Sequence, residues 1–239
     1  LNFCIDIGNS FIKYAVIDGK DILAYKRQKK LLVGDIKNLH KKYPFARVIL
    51  STVRRNLPPF YAYLDRTFST VELSHRTRQA FNSLYKTPKT IGKDRLAAVA
   101  GAIDMFPNEN SLIFDIGTCM TSDFVDKKAL YHGGNISPGI DLRLKSMHHF
   151  TSALPLVKGS FKNKILGVST KSALQNGAIY GIVLEIEALV RRIEREFGKI
   201  NVILTGGDAV PFGDLIECKK FVVPNLVLLG LNATLNYNE

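Results

Sequence analysis

The chain has 239 residues, 46% of them hydrophobic and 23% charged, which suits a globular protein of one large domain or two small ones sharing a cleft. The three cysteines, Cys4, Cys119 and Cys218, lie far apart with no CxxC spacing, which argues against a disulfide framework and a structural zinc site and for a reduced, cytoplasmic protein. No apolar run reaches the ~18 residues of a bilayer span, so no membrane partner is expected. The net charge of +12 sits wholly in residues 1–100, which hold 19 Lys and Arg against 7 Asp and Glu.

Apolar alternation predicts strands near 2–7, 11–18 and 22–27, with tight turns at Gly8-Asn9 and Asp18-Gly19. A helix is expected at 35–43, then a strand at Val48-Ile49-Leu50 ending on Ser51-Thr52. A helix at 56–67 and a strand at 70–73 follow. Residues 74–92 are polar and read as a loop crossing between lobes. From Asp94 a helix runs through LAAVAGAIDMF, whose small residues allow close packing, and Pro107 ends it.

The second half restarts the pattern. A strand is expected over 112–117, another over Met120 to Val125, and a third over 129–137, where Gly133-Gly134 marks a close approach. Pro138-Gly139 starts a helix. The longest helix is expected from Thr170 to about Phe197, with Ala173, Gly177 and Gly181 on one face. That face fits either internal packing or a subunit interface. A strand at 201–205 and a last helix at 225–236 complete the chain. The architecture implied is two fused α/β lobes with mixed sheets, one over 1–107 and the other over 108–239.

One phrase occurs twice: FCIDIG at 3–8 and LIFDIG at 112–117, each followed by Asn or Thr and a second apolar run. A strand ending on a carboxylate, followed by a Gly turn, puts an acidic group and exposed N–H groups at one tip. Such a tip suits a metal-bound polyphosphate, and two copies suggest lobes facing each other across a nucleotide cleft. In the first copy Asp6 suits Mg²⁺ held through water, Gly8 and Asn9 offer N–H groups, Ser10 adds a hydroxyl, and Lys13 is long enough to reach phosphate. In the second, Asp115 is joined by Thr118 and Thr121. Thr205-Gly206-Gly207-Asp208 gives a strand running into two glycines, against which a flat adenosine can lie.

The order of these three elements resembles the superfamily of acetate and sugar kinases, heat-shock ATPases and actin, which implies duplicated actin-like (ribonuclease H-like) lobes flanking the cleft. YKTPKTIGKDRLA (85–97), GGNISPGI (133–140), SALP (152–155) and STKSALQNG (169–177) narrow the resemblance to type III pantothenate kinase, over residues 3 to about 232. That resemblance implies transfer of the ATP γ-phosphate to the primary hydroxyl of pantothenate, the first step of coenzyme A synthesis. It implies that Asp6, Ile7, Gly8, Asn9, Ser10, Phe11, Ile12 and Lys13 line the ATP phosphates, with Thr118 contacting ATP from the other lobe. Asp115 would ligate a monovalent cation, potassium or ammonium. Tyr85, Gly92, Lys93, Asp94 and Arg95 would contact pantothenate, with Asp94 the proton acceptor. Thr170 would reach pantothenate across a homodimer interface.

The chemistry of the residues agrees with these roles. A guanidinium grips a carboxylate bidentately, so Arg95 suits the acid end of pantothenate. The plainer reading of Asp94-Arg95 is a helix N-terminus bearing a favourable acid. Ser10 stands where the family commonly has Thr, Cys119 where Ala is frequent, and Lys93 where a small apolar residue is common. Cys119 is expected to pack, since nothing nearby would activate its thiol. Lys93 either touches substrate or points to solvent. His148-His149 lacks a third ligand for a metal, and Tyr61 and Tyr63 read as core.

Two other readings remain. One is a non-catalytic, transcription-accessory relative of the same fold, for which the basic first lobe leaves room. Nucleic-acid binding is disfavoured because no recognition motif is apparent. The other is a superfamily kinase for another small carboxylate or a sugar.

Overall fold

The first apolar run forms strand β1 (Asn2–Ile7), buried along its whole length. It pairs antiparallel with β2 (Ile12–Asp18), which pairs antiparallel with β3 (Asp21–Gln28). Helix α1 (Val33–Lys42) follows, then β4 (Arg47–Thr52), α2 (Tyr61–Thr67) and β5 (Ser69–Glu72). The structure, a computed structural model, describes residues 1–8, 10–53, 58–161 and 165–239. The sheet order is β3-β2-β1-β4-β5, with β4 parallel to both β1 and β5.

Strand alternation sorts the residues of this sheet. Phe3, Ile5 and Ile7 lie on one face with Tyr14, Val16, Val48 and Leu50, and they pack with Ile36 of α1 and Leu64 of α2. Each such large apolar side chain, once fully buried, contributes roughly 1.5–3 kcal/mol. Tyr61 and Tyr63 pack against this cluster, as their place in the sequence suggested. The helix expected from residue 56 begins at Tyr61, after Pro58 and Pro59; residues 56–57 lie outside the described residues. Proline has no N–H to give a preceding turn, so the pair sets the start.

The chain continues through β6 (Asn82–Ser83), a 3₁₀ turn at Pro88–Thr90 and α3 (Lys93–Met105). Then come β7 (Ser111–Ile116), β8 (Cys119–Val125), β9 (Leu130–Pro138), α4 (Ile140–His149) and α5 (Thr170–Phe197). Strand β10 (Asn201–Thr205), α6 (Ala209–Leu215), β11 (Phe221–Val222) and α7 (Leu226–Tyr237) complete it. The second sheet runs β9-β8-β7-β10-β11, with β6 added beside the start of β9. Strand for strand, this order repeats that of the first sheet: β7 stands where β1 stands, and β10 where β4 stands. Gly134 in β9 has the close neighbour its sequence suggested, since a Cβ there would overlap Ser122 O on β8.

Two units result. Unit 1 is Leu1–Pro107 with Ala129–Tyr131 and Asn225–Glu239; unit 2 is Asn108–Lys128 with His132–Pro224. The last helix therefore belongs with the first hundred residues rather than with the lobe at 108–239. Its physical reason is α3, whose Ala97 and Gly101 meet Gly230 of α7 backbone to backbone. Asn232 of α7 also accepts from Asn2 at 2.7 Å and donates to Gly19 O at 2.8 Å.

Helix α5 is the one described helix long and apolar enough to cross a membrane, yet half of its apolar window is buried in unit 2. Leu174, Ile179, Ile182, Ile186 and Val190 pack there with Leu112, Phe114 and Leu204. Its apolar character is that of a core helix.

Candidate active site

In unit 1 the sheet registers set four residues in a row across four strands. Ser51 pairs with Asp6, Asp6 with Lys13, and Lys13 with Arg27, so all four share one face. The Ser51 hydroxyl donates to Asp6 Oδ1 at 2.8 Å. Burial pushes the Asp6 carboxyl above the usual carboxylate range; the Ser51 hydrogen bond and Lys13 oppose that shift, while Asp94 adds to it. A buried carboxylate facing a lysine at a turn is a site that gains from a further cation or from polyphosphate with its metal.

The turn itself is closed by Gly8 N–H donating to Phe11 O at 3.0 Å. Arg27 lies over the Phe11 ring, 4.0 Å from its centre, and props the turn from outside. Ser10 is exposed at the tip. Asn9 lies outside the described residues. Ile7 and Ile12 are buried in the apolar core, so they can meet a ligand only through backbone groups.

The second cluster of unit 1 gathers around the N-terminus of α3. Gly92 is its N-cap, and Asp94 folds back so that Oδ1 accepts from the Arg95 N–H at 2.9 Å. Arg95 is 4% exposed, with its guanidinium carbon 5.5 Å from the centre of the Tyr85 ring. Tyr85 in turn lies parallel to Tyr131, the rings 6.2 Å apart and 2° from coplanar. The structure settles where Lys93 points: its Nζ is 2.7 Å from Glu72 Oε1, so it braces the turn against β5. The Asp94 effect on Asp6 links the two clusters electrostatically.

In unit 2 the corresponding row is Thr121, Asp115 and Thr205 on β8, β7 and β10. Thr205 is 1% exposed, and its hydroxyl has no hydrogen-bond partner. Gly206 has φ of +96°, which glycine adopts without strain, and a Cβ there would stand 2.4 Å from Asp115 Oδ1. Of the two glycines expected to face a flat ring, Gly206 is thus taken up by Asp115, and Gly207 is open. Thr118 is exposed at the turn and accepts from the Gly139 N–H at 3.1 Å. Cys119 is exposed, so the packing expected of it is absent.

Thr170 is exposed in the first turn of α5, which Ser169 caps through Ser172 N–H at 3.2 Å. Ala173 and Gly177 are exposed on the same helix, and a Cβ at Gly177 would meet nothing within 4 Å. Gly181 differs, for Arg143 of α4 covers it. His148 Nδ1 lies 2.7 Å from Leu154 O, and no group of three or more His, Cys, Asp or Glu gathers for a metal among the described residues. Ser51, Glu72 and Tyr131 are site neighbours that the motif reading passed over. Ser51 and Tyr131 lie on strands whose register places them, and Glu72 ends β5.

Two sheets of the same strand order, each with a carboxylate at the end of its central strand, define the fold class of actin-like sugar kinases. A Listeria monocytogenes protein assigned as an N-acetylmannosamine kinase superposes with a TM-score of 0.58 at 11% identity, covering 100% of this chain and 99% of its own. A Campylobacter jejuni protein assigned to the Baf family of transcriptional activators gives 0.63 at 20% identity, covering 99% and 98%. Both likenesses concern the fold. The family model described as type III pantothenate kinase matches residues 2–192. A type III pantothenate kinase of Cytophaga hutchinsonii is 37% identical over 238 residues, all of both chains. The chain belongs to the type III pantothenate kinase family.

Proposed function

We propose that this protein phosphorylates the primary hydroxyl of pantothenate with ATP, giving 4'-phosphopantothenate. The observation that carries the reading is the preformed cluster at α3, where a buried guanidinium stands over Tyr85 beside a half-buried carboxylate. Arg95 takes the substrate carboxylate, since its fork matches that group. Tyr85 and Gly92 shape the pocket, and Asp94 accepts the hydroxyl proton. One Asp94 oxygen is engaged with the helix N-terminus, and a carboxylate has a second to offer.

The turn from Asp6 to Lys13 holds the ATP phosphates, with Thr118 as a further contact. Mg²⁺ fits here because it keeps its waters and binds through one or two carboxylates plus phosphate oxygens. Asp6, buried and drawing on Lys13, has the right chemistry for that outer contact. The metal neutralises charge on the transferred group when bound. The phosphoryl transition state is loose, so positioning and charge neutralisation outweigh the base. A monovalent cation, potassium or ammonium, belongs at Asp115. Its fit rests on the oxygen-bearing side chains paired with Asp115 across the sheet, Thr121 and the unpartnered hydroxyl of Thr205.

A homodimer is part of the proposal. The exposed Ala173 and Gly177 of α5, beside the exposed Thr170, support it because small residues let a second backbone approach. Three free cysteines, none paired with another, accord with a reduced cytoplasmic setting.

The test is phosphorylation of pantothenate by purified protein with MgATP, in potassium and again in sodium. Potassium-dependent phosphopantothenate is expected. Absence of product with either salt, from a folded sample, would remove the kinase reading. The charge of the first hundred residues favours one alternative, a regulatory nucleic-acid binder. For that reading, a DNA titration should show affinity falling steeply with salt.

A further inference from the structure

The two sheets repeat one another, and the repeat exposes a difference at their acidic turns. In unit 1 the row across β2, β1 and β4 reads Lys13, Asp6, Ser51. In unit 2 the row across β8, β7 and β10 reads Thr121, Asp115, Thr205. Each carboxylate stands at the same place in its sheet, and each has a hydroxyl residue beside it on the parallel strand. In unit 1 that hydroxyl is satisfied, because Ser51 donates to Asp6 at 2.8 Å. In unit 2 it is not: the Thr205 hydroxyl is buried and has no partner.

The cationic member of the row differs as well. Lys13 flanks Asp6, whereas the corresponding neighbour of Asp115 is the neutral Thr121. A buried hydroxyl without a partner is costly to the fold, so such a group persists where an occupant uses it. A hydroxyl has two lone pairs to give. Side chains paired across neighbouring strands share a face, so residues 115, 121 and 205 project to the same side of the sheet. Gly206 packs directly against Asp115, where any Cβ would stand 2.4 Å from Oδ1.

We infer that the Thr205 hydroxyl is an oxygen ligand of a potassium-sized monovalent cation at Asp115. That bound ion fills in unit 2 the place that the Lys13 ammonium fills in unit 1. Thr121 stands in the same row and supplies a second neutral oxygen. The inference rests on the proposed placing of a monovalent cation at Asp115, and it adds the residue that completes the site.

The experiment reads cation binding without turnover. Thermal unfolding of the full chain is followed across a potassium chloride series, with choline chloride holding ionic strength constant, with and without MgADP. The wild-type chain and Thr205→Ser should be stabilised by potassium with similar half-saturation. Thr205→Val keeps the shape and removes the hydroxyl, so its half-saturating potassium should rise about tenfold or more. In choline alone, Thr205→Val should be at least as stable as the wild type, since it loses an unpartnered hydroxyl. Should the valine disturb β10, Thr205→Ala is expected to show the same loss of potassium response. An unchanged half-saturation in Thr205→Val, or in Thr205→Ala, overturns the inference. So does a wild-type chain that potassium does not stabilise under either condition. A protein that binds potassium through Thr205 yet fails to phosphorylate pantothenate would refute the kinase reading alone.

Discussion

Lys93 Nζ lies 2.7 Å from Glu72 Oε1, and the pair ties the first turn of α3 to the last residue of β5. Both side chains are about one-third exposed, so the pair adds no more than ~1 kcal/mol to stability. Its consequence lies in position, because Lys93 directly precedes Asp94 and Arg95. Lys93→Ala should leave the unfolding temperature almost unchanged while raising KM for pantothenate several-fold and leaving KM for ATP alone. Glu72→Gln should match it, and the double variant should be no worse than either. Steady-state kinetics on the three variants checks this; additive losses would mean that the residues act separately.

Asp94 carries the proposed base, and a base contributes about 10²–10⁴-fold in rate. Asp94→Asn should lower kcat by that order while nucleotide affinity, measured calorimetrically with ADP and Mg²⁺, stays within a few-fold. Near-normal turnover would remove Asp94 from the proton-transfer role. A parallel loss of ADP binding would instead place it among the phosphate contacts.

Much of this was legible in the chain. The near-continuous apolar runs at 2–7, 112–117 and 201–205 mark central strands, because both faces of those strands are covered and the hydrophobic signal is strong. The acidic turns were legible because a carboxylate followed by Ile-Gly breaks an apolar run in the same way twice. What was not legible depends on register or on distant partners. Strands β6 and β11 have two residues each, too few to show any period. Helix α6 holds Pro211 and Gly213, which mask its pattern. That Lys93 turns to Glu72, that Ser51 meets Asp6, and that α7 returns to α3 are all contacts across more than twenty residues. No local pattern encodes them.

The buried Asp6 carboxyl should trade stability for function. Its folded pKa is raised, chiefly by desolvation, above the unfolded value near 4. The folded state then binds protons more tightly than the unfolded one, so stability falls as pH rises from the unfolded pKa through the folded pKa. Asp6→Asn removes that penalty and can keep the Ser51 hydrogen bond. In ligand-free protein the variant should therefore melt higher than wild type at pH 7, and the gap should shrink as pH falls toward 4. It should also bind MgATP much more weakly. Melting curves at several pH values decide it; a gap independent of pH would show that ionisation of Asp6 is not the cause.

Two glycines that look alike in sequence should respond in opposite ways. A Cβ at Gly230 would stand 1.7 Å from Ala97 O and 2.8 Å from Gly101 N, both backbone atoms of α3. Neither can swing aside as a side chain would, so the helices must part. Overpacking costs about 1–3 kcal/mol, and Gly230→Ala should lie at the top of that range or beyond. For a chain of this size each kcal/mol moves the melting temperature by roughly 2–4 °C, so a fall on the order of 10 °C is expected. Gly177 lies inside α5 with open space at its Cβ position. Gly177→Ala should stabilise the isolated helix by up to about 1 kcal/mol, since alanine loses less backbone entropy. If that face meets a second chain, however, the added methyl occupies the space into which the partner backbone packs. Analytical ultracentrifugation of Gly177→Ala and the bulkier Gly177→Leu separates the two. Dissociation that grows with side-chain size supports the α5 interface, whereas an unchanged mass for both variants would place any subunit contact elsewhere.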